Sequence, residues 1–335
     1  MRGWCVVCSV VVIAHVALAQ ETERKILPIA EFQAARAVAI TPLGEIFVLD
    51  GALSRLYKLD QSGKKIAHVG GFGIDREAFD TPLDLTTDGL NIFVADRGNQ
   101  RVAQFDRNLN FVTLLQNRPT PLPTLGLARE PNTSAGQLWR PISLSISGQG
   151  DLYILDEAQR QVIRINPLTF AAEIQQRQNP AQFQFGGFDA GAGNLIEPCH
   201  VQTSRSGKVF VSDAAAKAVF VYDLFGNFVT QIGKGLLTTP KGLGIGLVTE
   251  QTESGKEIQE WLFVVDELAL LMFRAEQQAG FEFLGKITVE TLRQVLQAEP
   301  KQLKLVDAAL LGETLYLLTE NALYLLPRTV LKPTD

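Results

Sequence analysis

The sequence is poor in residues that staple or catalyse: three cysteines, three histidines and two methionines in 335 positions. Cys5, Cys8 and His15 fall in an apolar opening stretch. That leaves Cys199 as the last thiol, and one thiol forms no intramolecular bridge. A disulfide framework is excluded, so the fold must rest on burial, which a chain of this length can supply. His68 and His200 alone cannot make an all-histidine zinc site, which needs three protein ligands and an open position. Positive charge is also scarce, with 31 Lys and Arg against 36 Asp and Glu and a formal charge of −5. Nucleic acid, which asks for a concentrated basic face, is not an expected partner. There is no phosphate loop ending in Lys-Ser/Thr and no G-x-S-x-G elbow. Asp75 to Asp80 lacks the ligand alternation and glycine of a calcium loop.

What is present begins with a sorting signal. Arg2 precedes the mostly apolar run Trp4 to Val16, too short to span a bilayer, and Ala17-Leu18-Ala19 has the small-x-small form of a cleavage site. Residues 1–19 are therefore expected to be a signal peptide. Losing Arg2 takes the formal charge from −5 to −6. Export to the periplasm or the medium follows, with no transmembrane segment in the mature chain.

A repeat fills the remainder. Ile46-Phe-Val-Leu-Asp50 returns as Ile92-Phe-Val-Ala-Asp96, Leu152-Tyr-Ile-Leu-Asp156 and Val209-Phe-Val-Ser-Asp213. A second polar mark follows ten residues later each time, at Asp60, Asp106, Asn166 and Asp223. Glycine turns (Gly44, Gly89, Gly150, Gly207) separate a short strand from the β-branched one, and turns such as Asp223 to Gly226 lead to a fourth. Four antiparallel strands per unit predict an all-β, six-bladed β-propeller. The blades fall near 35–71, 82–115, 141–175, 198–233, 240–287 and 303–331, in one domain over 20–335. The worn last unit lacks a fourth strand, which Lys25 to Phe32 is expected to supply from the other end. Pro28 suits such an outermost position.

Asp96-Arg-Gly-Asn-Gln-Arg101 after Ile92-Phe-Val-Ala resembles the signature of the NHL-repeat family of propellers. The start at Pro82 and the preceding Gly70-Gly-Phe-Gly loop match as well. The third and fourth units keep the frame without the Gly-Asn pair, and the fifth carries Leu268 to Leu271 in its place. The resemblance implies the propeller fold. It also raises metal-dependent lyase or lactonase chemistry, since some NHL-like and related six-bladed propellers hold His or carboxylate ligands around the axis.

Three inserts break the repeat: the Pro-rich Gln116 to Arg140, then Gln175 to Glu197 with Phe183, Phe185 and Phe188, and a helix over Thr288 to Glu299. All follow a fourth strand, so all are expected on the face that also carries the Asp96-to-Arg101 type loops. That loop-rich face predicts a binding scaffold for a protein, peptide or glycan, with Arg76, Arg97, Asn99, Trp139, Arg140 and Phe188 as contact candidates. Aligned first strands give a second set, Asp84, Ser143, His200, Gln202 and Asp307, expected around the central channel. A small-ligand or cation site and a water-filled channel are the two readings of that set, and the channel is the expected one. Strand alternation is expected to turn Cys199 away from His200. The repeated Asp50, Asp96, Asp156 and Asp213 read as acceptors for loop amides, with Arg55 and Arg101 as inter-blade partners. No catalytic residue, metal ligand or cofactor is assigned, and the chain reads as a binder more than an enzyme.

Overall fold

A computed structural model describes residues 25–117, 138–175, 182–252, 255–275, 280–296 and 303–327. The expected signal peptide and most of the Pro-rich insert, with Pro119, Pro121, Pro123 and Pro131, lie outside the described residues. Among those residues, 24 strands form six four-stranded antiparallel sheets. The first strand of each sheet packs on the first strand of the next, and that of the sixth packs back on that of the first. The chain is a six-bladed propeller.

Burial follows the seams. Six apolar clusters occur, each built from two neighbouring blades. Phe47, Leu49 and Leu56 of blade one, for example, meet Ile92, Val94 and Phe105 of blade two. Both faces of the second strands are covered, which is why Ile46 to Leu49 reads as an unbroken apolar run. The repeated aspartates cap those strands as expected. Asp50 accepts the Gln33 and Ala34 N–H groups at 2.8 and 3.2 Å, Asp213 those of Ile196 and Glu197 at 2.7 and 3.0 Å, and Asp266 those of Thr238 and Thr239 at 2.8 and 2.5 Å. Each carboxylate thus pins the connection arriving from the previous blade.

Ring closure uses the N-terminal segment, with a shorter strand than the eight residues expected. Ala30–Glu31 pairs with Ala322 and Leu323 of the last blade. Pro28 lies before that ladder, and Ile26 forms a lone parallel bridge to Leu296. The helix of the third insert runs Val289–Val295. Its N-cap, Thr288, accepts the Thr291 N–H at 3.2 Å, and Val289 and Leu292 are buried.

Blade three departs from expectation. The stretch ending near residue 175 is not its fourth strand but a helix, Pro167–Gln175. Asn166, standing where other blades have the turn aspartate, accepts the Leu168 and Thr169 N–H groups at 3.2 and 3.3 Å. With Pro167 in the first helical position the local signal is helical. The fourth strand is instead Phe183–Phe185, paired with Val162 to Arg164. Part of the second insert is therefore blade, and the excursion lies between third and fourth strands.

Candidate functional site

All six first strands carry a register shift just after their opening residue. The extra residue is Arg36, Leu83, Ile142, Cys199 or Val306, and in blade five Lys241-Gly242 stands opposite a single residue. A bulge re-aims side chains that strict alternation would send elsewhere. All these residues line one axial funnel of about 540 Å³, with Glu157, Arg160, Glu197 and Lys304. Cys199 consequently shares this cavity with His200, against the expectation from alternation. Burial pushes its thiol up to about 11, so it is a poor nucleophile.

Asp84 and His200 close the funnel and also line a smaller cavity of about 150 Å³ below, with Gln202 and Asp307. The channel set therefore converges, except that Ser143 is fully buried behind Asp84. Its polar groups are mostly spent on holding blades together. Asp84 Oδ2 accepts the Leu144 N–H of blade three at 2.8 Å and the Ser143 hydroxyl at 2.6 Å. Ser143 Oγ accepts the Val201 N–H of blade four at 3.0 Å, and Asp307 Oδ2 the Val38 N–H of blade one at 3.0 Å. Blade five has glycine at this position. A Cβ on Gly242 would sit 2.6 Å from the Val306 carbonyl oxygen, so close backbone approach replaces the polar latch there.

His200 Nε2 lies 3.6 Å from Asp84 Oδ2, and one donor atom each of Asp84, His200 and Asp307 falls within 4.8 Å of the others. The count suits a divalent ion with open positions. The surroundings do not. Both carboxylates already accept backbone N–H groups through both oxygens, Asp84 from Leu85 and Leu144, Asp307 from Ala308 and Val38. A metal-bound imidazole normally donates its other N–H to an acceptor. Buried His200 Nδ1 has no hydrogen-bond partner among the described residues. The trio is better suited to sharing protons than to holding a metal.

Burial raises the Asp307 carboxyl to about 7; the neighbouring His200 charge opposes the rise, and Asp84 adds to it. Burial raises Asp84 as well. Between about pH 4 and 7 the folded protein holds a proton on Asp307 that the unfolded chain has released. The stability from this group is therefore largest at the acidic end of that window and is lost as pH climbs through 7. Asp307→Asn keeps an oxygen for the Val38 N–H and removes the titration. We expect the melting temperature of the variant to gain on the parent steadily from pH 4.5 to 7.5. Parallel curves would show that the Asp307 carboxyl ionises like a surface acid.

Of the loop-face candidates, Phe188 is 84% exposed and Arg76 is exposed beside the Phe111 ring. Arg97 binds Glu157 at 2.8 Å, tying blade two to blade three, and Arg140 lies 3.6 Å from the same carboxylate. Asn99 donates to the Gly73 carbonyl and to Asp96. Trp139 does not stand out on the loop face as expected: it is 2% exposed and stacks on Phe170 at 5.2 Å, filling the space that the blade-three helix creates. Arg101 corrects another expectation, since it pairs with Asp96 within its own blade at 2.7 Å. Arg55 Nε has no hydrogen-bond partner among the described residues. The funnel cations Arg36, Arg160, Lys241 and Lys304 escaped sequence reasoning. The available signal was the constant extra residue between each strand opening and its inward polar position.

No protein-family profile matches this sequence, and no curated protein matches it either. Among solved structures it is similar to a streptogramin B lyase, with TM-score 0.52 and 10% identity over 88% of this chain and 95% of that one. A virginiamycin B lyase from Staphylococcus aureus gives 0.51 at 10% identity over 88% and 95%. The RRP9 WD40 repeats give 0.54 at 9% over 88% and 94%. At such identities the likeness is one of fold.

Proposed function

We propose that this chain is an exported propeller of the NHL-repeat type, working in the periplasm or the medium. Its loop-rich face binds a protein, peptide or glycan, with a carboxylate of that partner seated in the axial funnel. The cleavable leader expected over 1–19 and the Asp96-to-Arg101 motif support export and family. One observation carries the funnel: Arg36 and Lys241 line it, and no hydrogen bond or ion pair engages either side chain among the described residues. Glu157 is taken by Arg97 and Arg140, Lys304 by Glu320 at 3.0 Å, and Arg160 reaches the Ile196 carbonyl at 3.4 Å, while Glu197 is a mouth carboxylate that no cation engages among the described residues. Free cations in a concave wall, Arg36 exposed and Lys241 half-buried, concentrate the field on an incoming anion.

An immobilised peptide library with free C-termini, a matched amidated library and uronate oligosaccharides test this. Carboxylate-bearing ligands are expected to bind, and Arg36→Ala with Lys241→Ala to weaken them roughly tenfold or more. Equal retention of the amidated library would remove the funnel from the account. The second reading, a metal-dependent lyase or lactonase, rests on the spacing of Asp84, His200 and Asp307 alone, against the backbone N–H groups that both carboxylates already accept. It predicts that a chelator lowers the melting temperature, whereas the binding reading predicts no change.

A further inference from the structure

A second concavity lies on the outer rim, at the seam between blades three and four. A cavity of about 620 Å³ is continued by one of about 100 Å³, and the two share Gln159, Gln161 and Gln184. The side-chain amides of these three glutamines make no hydrogen bond among the described residues. Each offers an acceptor oxygen and a two-proton donor side by side. Phe188, 84% exposed, stands at the wall of the larger cavity, where Gly186 and Gly187 keep the backbone low. At the inner end the indole N–H of Trp139 is buried and has no acceptor among the described residues. An orphaned buried donor is costly, and its place in this trough points to an oxygen arriving from outside.

Charge narrows the ligand class. No Lys or Arg lines either cavity among the described residues. Asp189 belongs to the larger one. Asp156, in the smaller, already accepts the Arg140 and Gln159 N–H groups at 2.6 and 3.0 Å. An anionic ligand would meet no cation here. A purely apolar one would strip water from three amides and return no hydrogen bond. What matches is a neutral molecule with paired hydroxyls along its edges and C–H faces to lay against a phenyl ring.

We propose that this seam is a binding trough for a neutral oligosaccharide. Gln159, Gln161 and Gln184 each pair with adjacent ring hydroxyls through amide oxygen and nitrogen. Phe188 packs on a pyranose face, and the Trp139 N–H donates to a hydroxyl or ring oxygen at the inner end. The trough is separate from the axial funnel, so the two sites stand or fall apart.

Calorimetric titration of the full mature chain with maltohexaose, cellohexaose and chitohexaose provides the test. At least one is expected to bind saturably with Kd of about 1 mM or tighter. Phe188→Ala and Gln161→Leu are each expected to weaken it roughly tenfold, with melting temperatures unchanged because Phe188 is exposed and Gln161 half-buried. Arg36→Ala with Lys241→Ala should leave sugar binding intact. Failure of all three sugars to bind saturably overturns the proposal, and so does binding that both trough variants retain in full. Displacement of a bound sugar's heat by an extended peptide pairing with the free edge of Phe183–Phe185 would assign the trough to peptides and likewise overturn it.

Discussion

Replacing Asp96 by alanine is expected to destabilise the protein by about 3–5 kcal/mol, the largest loss of any single strand-end carboxylate. Asp96 is fully buried and Arg101 is 5% exposed. The guanidinium spends four of its five donors, on Asp96 Oδ2 at 2.7 Å and on the carbonyls of Ile74, Asp75 and Ala78 at 3.2, 2.7 and 2.7 Å. Asp96 in turn accepts the Asp80 N–H at 2.8 Å and the Asn99 amide at 2.8 Å. Gly98 belongs to the same knot, because a Cβ there would lie 2.4 Å from Asp80 Cγ. Removing the carboxylate strands a permanent cation in the loop interior. Chemical denaturation should show a lower midpoint at unchanged slope, and hydrogen exchange should show residues 70–80 losing protection first. Asp96→Leu with Arg101→Met should recover much of the loss, since it removes both charges. A single variant with wild-type stability would mean that water, not Asp96, compensates Arg101.

That knot also shows the structural work done by one readable motif. The spacing of Asp96, Gly98, Asn99 and Arg101 resembles a repeat-family signature and points to a loop on the loop-rich face. In the folded chain the same residues fasten the incoming connection, and little of their hydrogen-bonding capacity is left for a partner. The four-strand frame was legible because turn glycines and paired polar marks recur at fixed intervals, and each mark has a local job. Blade three was misread because Asn166-Pro167 signals a helix start as strongly as a hairpin, and only pairing with Val162 to Arg164 assigns Phe183–Phe185 to the sheet. The axial set was found by alignment, since inward positions repeat. Its cationic rim was not, because a one-residue bulge turns side chains that alternation sends to the opposite face. Trp139 was misplaced for a related reason: its partner Phe170 sits on a helix that the repeat does not contain.

The other large effect is expected at the ring closure. Deleting residues 25–32 should lower the melting temperature by roughly 10 °C or more and turn the protein aggregation-prone. The segment donates the Ile29 N–H to Leu323 O at 2.9 Å and the Phe32 N–H to Asn321 O at 2.8 Å. Phe32 is 8% exposed, in a cluster with Tyr57 of blade one and Tyr316, Leu318 and Leu323 of blade six. Loss of a buried phenylalanine alone costs about 3–5 kcal/mol. Deletion also bares the edge of Ala322–Pro327 and separates the two blades that the segment spans. Gly63 reports on the same junction, since a Cβ there would lie 2.2 Å from the Ile29 carbonyl oxygen. A synthetic peptide of residues 25–33, added in excess, should restore the lost stability in proportion to the logarithm of its concentration, because it binds only the folded ring. A truncated chain that melts within a degree or two of the parent would mean that six blades close by their own packing and that the N-terminal strand is dispensable.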